Sequence, residues 1–99
     1  MFDYTGHIVQ ATAGRDKGDV FCVVGMDEEQ SRLLLANGKR RKAGRPKAKK
    51  LGHVKVLTAS EQDFDHQTIQ KLKQGEPVSD RELRRALAAF KEGITLGER

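Results

Sequence analysis

The stretch Gly6-His7-Ile8-Val9-Gln10-Ala11-Thr12-Ala13-Gly14-Arg15-Asp16-Lys17-Gly18-Asp19-Val20-Phe21-Cys22-Val23-Val24 decides the fold. His7 to Ala11 reads as a short strand. Ala13-Gly14-Arg15-Asp16-Lys17-Gly18 ends it, because two glycines around a charged trio make a turn. Asp19 to Met26 reads as a second strand, rich in Val and Phe and apolar on both faces. Further along, Asp27-Glu28-Glu29-Gln30 is a polar turn and Ser31 to Ala36 a third strand. Asn37-Gly38 predicts a tight hairpin, since the pair tolerates the two positive φ angles of a type I′ turn. A fourth strand is expected to begin near Lys39, and His53-Val54-Lys55-Val56-Leu57 supplies a fifth. Five short strands with no helix between them predict a small antiparallel barrel in a mainly β domain.

Beyond Thr58 the periodicity becomes helical. Asp65 is placed to cap a short helix that carries Ile69 and Leu72 on one face, with Gly75 just past its end. Glu76-Pro77-Val78 connects it to a second helix. There Ser79-Asp80-Arg81-Glu82 is a capping box, in which the serine and the glutamate satisfy each other's orphan backbone donors. Leu83, Leu87 and Phe90 form an apolar stripe with Ala86 beside it, and Gly93 is expected to end the helix. Arg81, Arg84, Arg85 and Lys91 read as a solvated face. A helical pair this short has to dock its stripe on the barrel or on a partner. The division expected is a five-stranded barrel over residues 1–58, with a basic loop at 39–50, and a C-terminal helical extension over 59–99. There is no internal repeat.

The chain has 99 residues, of which 36% are apolar and 5% aromatic. A core of that size leaves no room for the deep cleft of a large enzyme. The single cysteine, Cys22, excludes an internal disulfide framework and a cysteine-rich zinc site. It sits in an apolar run and reads as a small buried hydrophobe. The first fourteen residues hold no Lys or Arg, and apolar runs stay near five residues. Signal peptides and membrane spans need roughly 7–15 and ~20 apolar residues respectively. The expectation is therefore a soluble, cytoplasmic protein without a membrane partner.

Catalysis finds no support. His7, His53 and His66 lack any HxxxH, HxH or Cys-His spacing, so neither a metal site nor a cofactor is expected. No serine occupies a G-x-S-x-G elbow, and Gly14 to Gly18 is too short for a phosphate-binding Walker loop. No small-molecule substrate is implied, and nothing in the pattern demands a dimer.

The charge distribution is the strongest functional signal. The formal net charge is +5, from 19 basic and 14 acidic residues. Residues 1–38 carry 3 basic and 6 acidic side chains, net −3, and residues 51–99 carry 8 of each. Lys39-Arg40-Arg41-Lys42-Ala43-Gly44-Arg45-Pro46-Lys47-Ala48-Lys49-Lys50 carries 8 basic and no acidic residue, net +8. Eight like charges repel and bury nothing, so a solvated, disordered linker is one reading. The other is a polyanion-binding arm that neutralises phosphates and releases their counterions. Charge alone does not choose RNA over DNA. Gly44-Arg45-Pro46 is similar to part of an AT-hook, but Ala43 stands where the first groove-inserted arginine belongs.

Residues 6–24 also resemble a KOW motif, with Gly18 at the glycine that ends the turn and Arg15 and Lys17 at basic turn positions. Asn37-Gly38, then Arg45-Pro46-Lys47, then Lys50 to Val54 extend the likeness over roughly residues 5–57. Over that span the chain is similar to the small bacterial KOW-domain RNA-binding proteins related to an archaeal and eukaryotic large-subunit ribosomal protein. The resemblance implies an SH3-like barrel that binds structured RNA, ribosomal RNA or the large ribosomal subunit first among them. The RNA contacts expected are Arg15, Lys17, Lys39, Arg40, Arg41, Lys42, Arg45, Lys47, Lys49, Lys50 and His53. Of the aromatic residues, Phe21 reads as core and Tyr4 as core or edge. With only Phe2, Phe64 and Phe90 besides, recognition should rest on phosphate and shape more than on stacking. The helical tail lies outside the motif. Two other classes remain open: an adaptor that docks a protein through the Leu83–Leu87–Phe90 stripe, as a ribosome- or transcription-associated factor would, and an AT-hook-like DNA binder.

Overall fold

The computed structural model describes residues 2–58 and 64–97, with side chains described as far as residue 93. Five strands come first: β1 (Ile8–Ala11), β2 (Val20–Asp27), β3 (Arg32–Ala36), β4 (Lys47–Lys50) and β5 (Val54–Val56). A 3-10 turn over Leu51–His53 separates the last two, and helices α1 (Gln67–Lys73) and α2 (Asp80–Gly97) follow. The strands form one antiparallel sheet in the order β4-β3-β2-β1-β5. Among the described residues no ladder joins β4 to β5. The mainly β domain with two C-terminal helices is thus the architecture the sequence predicts.

Alternation along the strands explains why β2 is apolar on both faces. Ile8, Cys22 and Ala36 stand opposite one another on one side of the sheet and are fully buried. Val9, Ala11, Phe21, Val23, Leu33 and Leu35 point to the other side and make a second core, with Tyr4, Met26, Val54 and Val56 around it. Side chains alternate with a period of two, so a sheet buried on both faces needs continuous apolar runs. A register shift between Val23 and Gly25 bends β2 at the point where its pairing with β3 continues.

The helices supply the cover for the first face. Ile69 and Leu72 of α1 and Leu83 and Phe90 of α2 close over Ile8, Cys22 and Ala36, with Leu87, Val78 and Phe64 packed at the margin. Burying a Leu, Ile or Phe side chain stabilises by about 1.5–3 kcal/mol, which is what holds two short helices in place. The stripe is occupied by the protein's own sheet, so the surface an adaptor would need there is already covered. Phe64 meets Phe90 edge-on at 5.3 Å, and both belong to this core.

Local signals succeed and fail for visible reasons. The capping box is formed: Ser79 Oγ accepts from the Glu82 amide at 3.1 Å and Glu82 Oε1 accepts from the Ser79 amide at 3.0 Å. The α1 cap is His66 rather than Asp65; its Nδ1 accepts from the Thr68 amide at 3.1 Å. Asp65 instead accepts from the Gln70 side chain at 2.7 Å. Gly93 does not end α2, which continues to Gly97. A lone glycine on an exposed helical surface costs only about 1 kcal/mol, too little to stop a helix without a following breaker. The limits of β1, β2, β3 and β5 shift by about a residue, and His53 with Leu51 falls in the 3-10 turn instead of a strand. Residues 59–63, where the extension was expected to begin, lie outside the described residues.

Candidate nucleic-acid interface

The β1–β2 turn is built as its glycines require. Gly14 and Gly18 take φ of +81° and +93°, and the Gly18 amide donates to the Ala11 carbonyl at 2.8 Å. Arg15 and Lys17 are exposed on either side of Asp16, whose side chain turns inward and is only 2% exposed.

Asp16 organises the basic segment. Its Oδ2 accepts from Arg41 Nη2 at 2.8 Å and from Arg41 Nε at 3.1 Å, a two-pronged contact that ties the β3–β4 loop to the β1–β2 turn. Arg40 lies 4.0 Å from Asp16 and 3.7 Å from Asp19. Burial pushes the Asp16 carboxyl up, but the Arg41 hydrogen bonds and the charges of Arg41, Lys49 and Arg40 outweigh it and hold the group below the ordinary carboxylate range.

The loop over 37–46 is tied down by hydrogen bonds, and the tight Asn37-Gly38 hairpin is absent. Only Gly38 of that pair has positive φ, +76°, so the type I′ geometry cannot form. Asn37 instead closes a wider loop: its Oδ1 accepts from the amides of Lys39 at 2.9 Å and Arg41 at 3.1 Å. The Asn37 and Gly38 amides both donate to the Arg41 carbonyl. The fourth strand accordingly starts at Lys47, eight residues beyond the expected start near Lys39. These tethers make the basic segment part of the fold, against the reading of it as a disordered linker.

β4 brings a run of lysines to one edge of the sheet. Lys47 and Lys49 pair with Leu35 and Leu33, while Ala48 and Lys50 pair with Leu34 and Arg32. Lys49 is only 8% exposed, and its ammonium donates to the Ala13 carbonyl at 2.7 Å, joining the edge to the β1–β2 turn. The Thr12 amide donates to the His53 carbonyl at 2.9 Å nearby. Between these elements lies an open groove of about 300 Å³, lined by Gly14, Arg32, Lys47, Lys49, Lys50 and His53 among others. Arg32 Nε is buried there with no hydrogen-bond partner among the described residues. Lysines on an edge strand also discourage pairing with a foreign strand, so this edge has a structural use as well.

The expected contact residues therefore divide. Lys47, Lys49, Lys50 and His53 meet at the groove; Arg15, Lys17, Arg40 and Arg41 meet around Asp16; Lys39, Lys42 and Arg45 lie on the loop toward the helices. Lys39, Lys42, Arg45, Lys47 and Lys50 make no ion pair with a described residue. Arg41 and Lys49 are engaged within the fold, so an alanine variant that includes them tests stability along with binding. Sequence reasoning missed Arg32: a single arginine opening a strand carries no signal until β4 is placed beside it. It missed Arg84 too, whose Nη1 donates to the Gly38 carbonyl at 2.7 Å.

Tyr4, Phe2 and His7 form an edge-to-face group with centroids 4.7–5.8 Å apart, and Tyr4 lies against the second core. Among the described residues no three His, Cys, Asp or Glu side chains gather as metal ligands, and no helix is long and apolar enough to cross a membrane. The chain matches no protein-family model and no curated protein.

Proposed function

We propose that this is a non-enzymatic, cytoplasmic RNA-binding protein that holds structured RNA, ribosomal RNA of the large subunit in the first instance, through phosphate and shape contacts. The observation that carries the reading is the basic belt and the contacts that hold it together. Turn 14–18, loop 37–46, β4 and His53 are drawn together; Asp16 is buried with its Oδ2 taken up by Arg41, and Asp19 beside the turn faces Arg40, so the cations far outnumber the acids near them. A belt of cations with so few acids beside it presents its excess charge outward, where a phosphate backbone can replace condensed counterions. The resemblance to KOW proteins over residues 5–57 favours RNA over DNA, and the single five-stranded antiparallel sheet is compatible with it.

Ribosome co-sedimentation of the full chain at low and high salt tests this reading. Co-migration with the large subunit that disappears as salt rises is the expected result. If roughly 4–6 phosphates are neutralised, a fourfold rise in salt weakens binding by about two to three orders of magnitude. A salt-insensitive association, or absence from every ribosomal fraction together with no crosslinking to RNA, overturns it.

A further inference from the structure

The helical extension does more than cover the sheet. Asp80 Oδ1 accepts from the Ala43 amide at 2.7 Å, and Arg84 reaches the Gly38 carbonyl, so the start of α2 is clamped onto the basic loop. Gly38 is required there, because a Cβ would run into the Asp80 carbonyl oxygen. The two acids of this first turn are consumed internally: Asp80 on the loop, and Glu82 on Ser79 and on Lys71, whose ammonium lies 2.7 Å away. Arg81 and Arg85 are exposed and have no ion-pair partner among the described residues. They lie four residues apart, on one face of the helix.

This arrangement contradicts the helix's own preferences. Arg81 is disfavoured in the first turn, where the helix dipole is positive, and like charges four residues apart repel. A local rule broken without a compensating contact marks a place where a partner supplies the compensation. We infer that Arg81 and Arg85 form a second phosphate-contacting surface continuous with the loop of Lys39, Lys42 and Arg45, so that α2 is part of the RNA interface. The charges read from sequence as a solvated helix face thus belong to the same belt. The inference rests on the RNA-binding reading above.

Fluorescence anisotropy of a labelled large-subunit rRNA hairpin with the full chain, across a salt series, tests it. Each phosphate contact contributes about a fivefold factor at 0.15 M monovalent salt, from roughly 0.9 counterions released per contact. Arg81→Gln with Arg85→Gln should therefore weaken binding about 30-fold and lower the log–log salt slope by about 2. Arg81→Glu separates binding from structure: it suits the helix N-terminus and faces Arg85, so thermal stability should hold or rise while RNA affinity falls. Wild-type affinity and slope in the double variant would overturn the inference and leave the RNA-binding reading standing. No salt-dependent hairpin binding by the wild type, or tighter binding to the matching DNA hairpin, would overturn both.

Discussion

Replacing Asp16 by Asn should loosen the whole basic belt. The carboxylate is 2% exposed and receives two hydrogen bonds from Arg41, with the nearly buried Lys49 and the exposed Arg40 adding attraction. Removing one partner of a buried pair costs about 3–5 kcal/mol, because the other charge stays desolvated. Arg41 retains 28% exposure, so water recovers part of that loss. The expected loss is about 2–3 kcal/mol, a fall in Tm of about 10–20 °C for a domain of this size. Thermal unfolding followed by circular dichroism measures it. Amide spectra at 20 °C should show the largest changes at residues 37–45, since Asn37 and Arg41 close that loop together. The pH dependence supplies a second reading. The folded pKa of Asp16 lies below its unfolded value of about 3.9, so its contribution is complete above that value. It is lost as pH falls through the folded pKa. The wild-type advantage over Asp16→Asn should hold from pH 7 to about 5 and shrink below pH 4. A stability loss under about 0.5 kcal/mol, or a gap that stays constant down to pH 2, would refute the argument that this carboxylate organises the belt.

Two other perturbations probe the packing behind the interface. Gly38→Ala puts a methyl group against the Asp80 carbonyl at a φ of +76°, so it should cost about 2–4 kcal/mol and release α2 from the loop, seen as a lower urea midpoint. An unchanged midpoint would mean that the helix is not seated on Gly38. Cys22 is fully buried, and burial pushes its thiol up to about 12, so a thiol reagent at pH 8 should modify it only as fast as the protein opens. Rapid labelling of the native protein would contradict the double-faced packing of β2.

How much of this was legible depends on where each determinant lies. Val20 to Val24 shows its two-faced burial in the sequence itself, and the capping box at Ser79–Glu82 closes over three residues. Such features depend on neighbours a few positions away. Asn37-Gly38 carried an equally strong local signal and was misread, because the loop is closed by Arg41 and pressed by a helix 42 residues further on. The candidate site follows the same logic. Eight cations without an acid are visible as composition, but composition does not say which of them face solvent. Asp16, 25 positions before Arg41, draws that guanidinium inward, and Ala13, 36 positions before Lys49, takes its ammonium. Both partners sit in a turn predicted correctly for its glycines, but nothing in that local pattern said that the Asp16 carboxylate and the Ala13 carbonyl would receive Arg41 and Lys49. Arg81 and Arg85 show the converse: on the chain they look balanced by Asp80 and Glu82, and only the fold shows those acids turned to other tasks. For a charged segment, then, the informative quantity is the charge left after internal pairing. That residue of charge is a property of the tertiary structure, and it is what a phosphate backbone would meet.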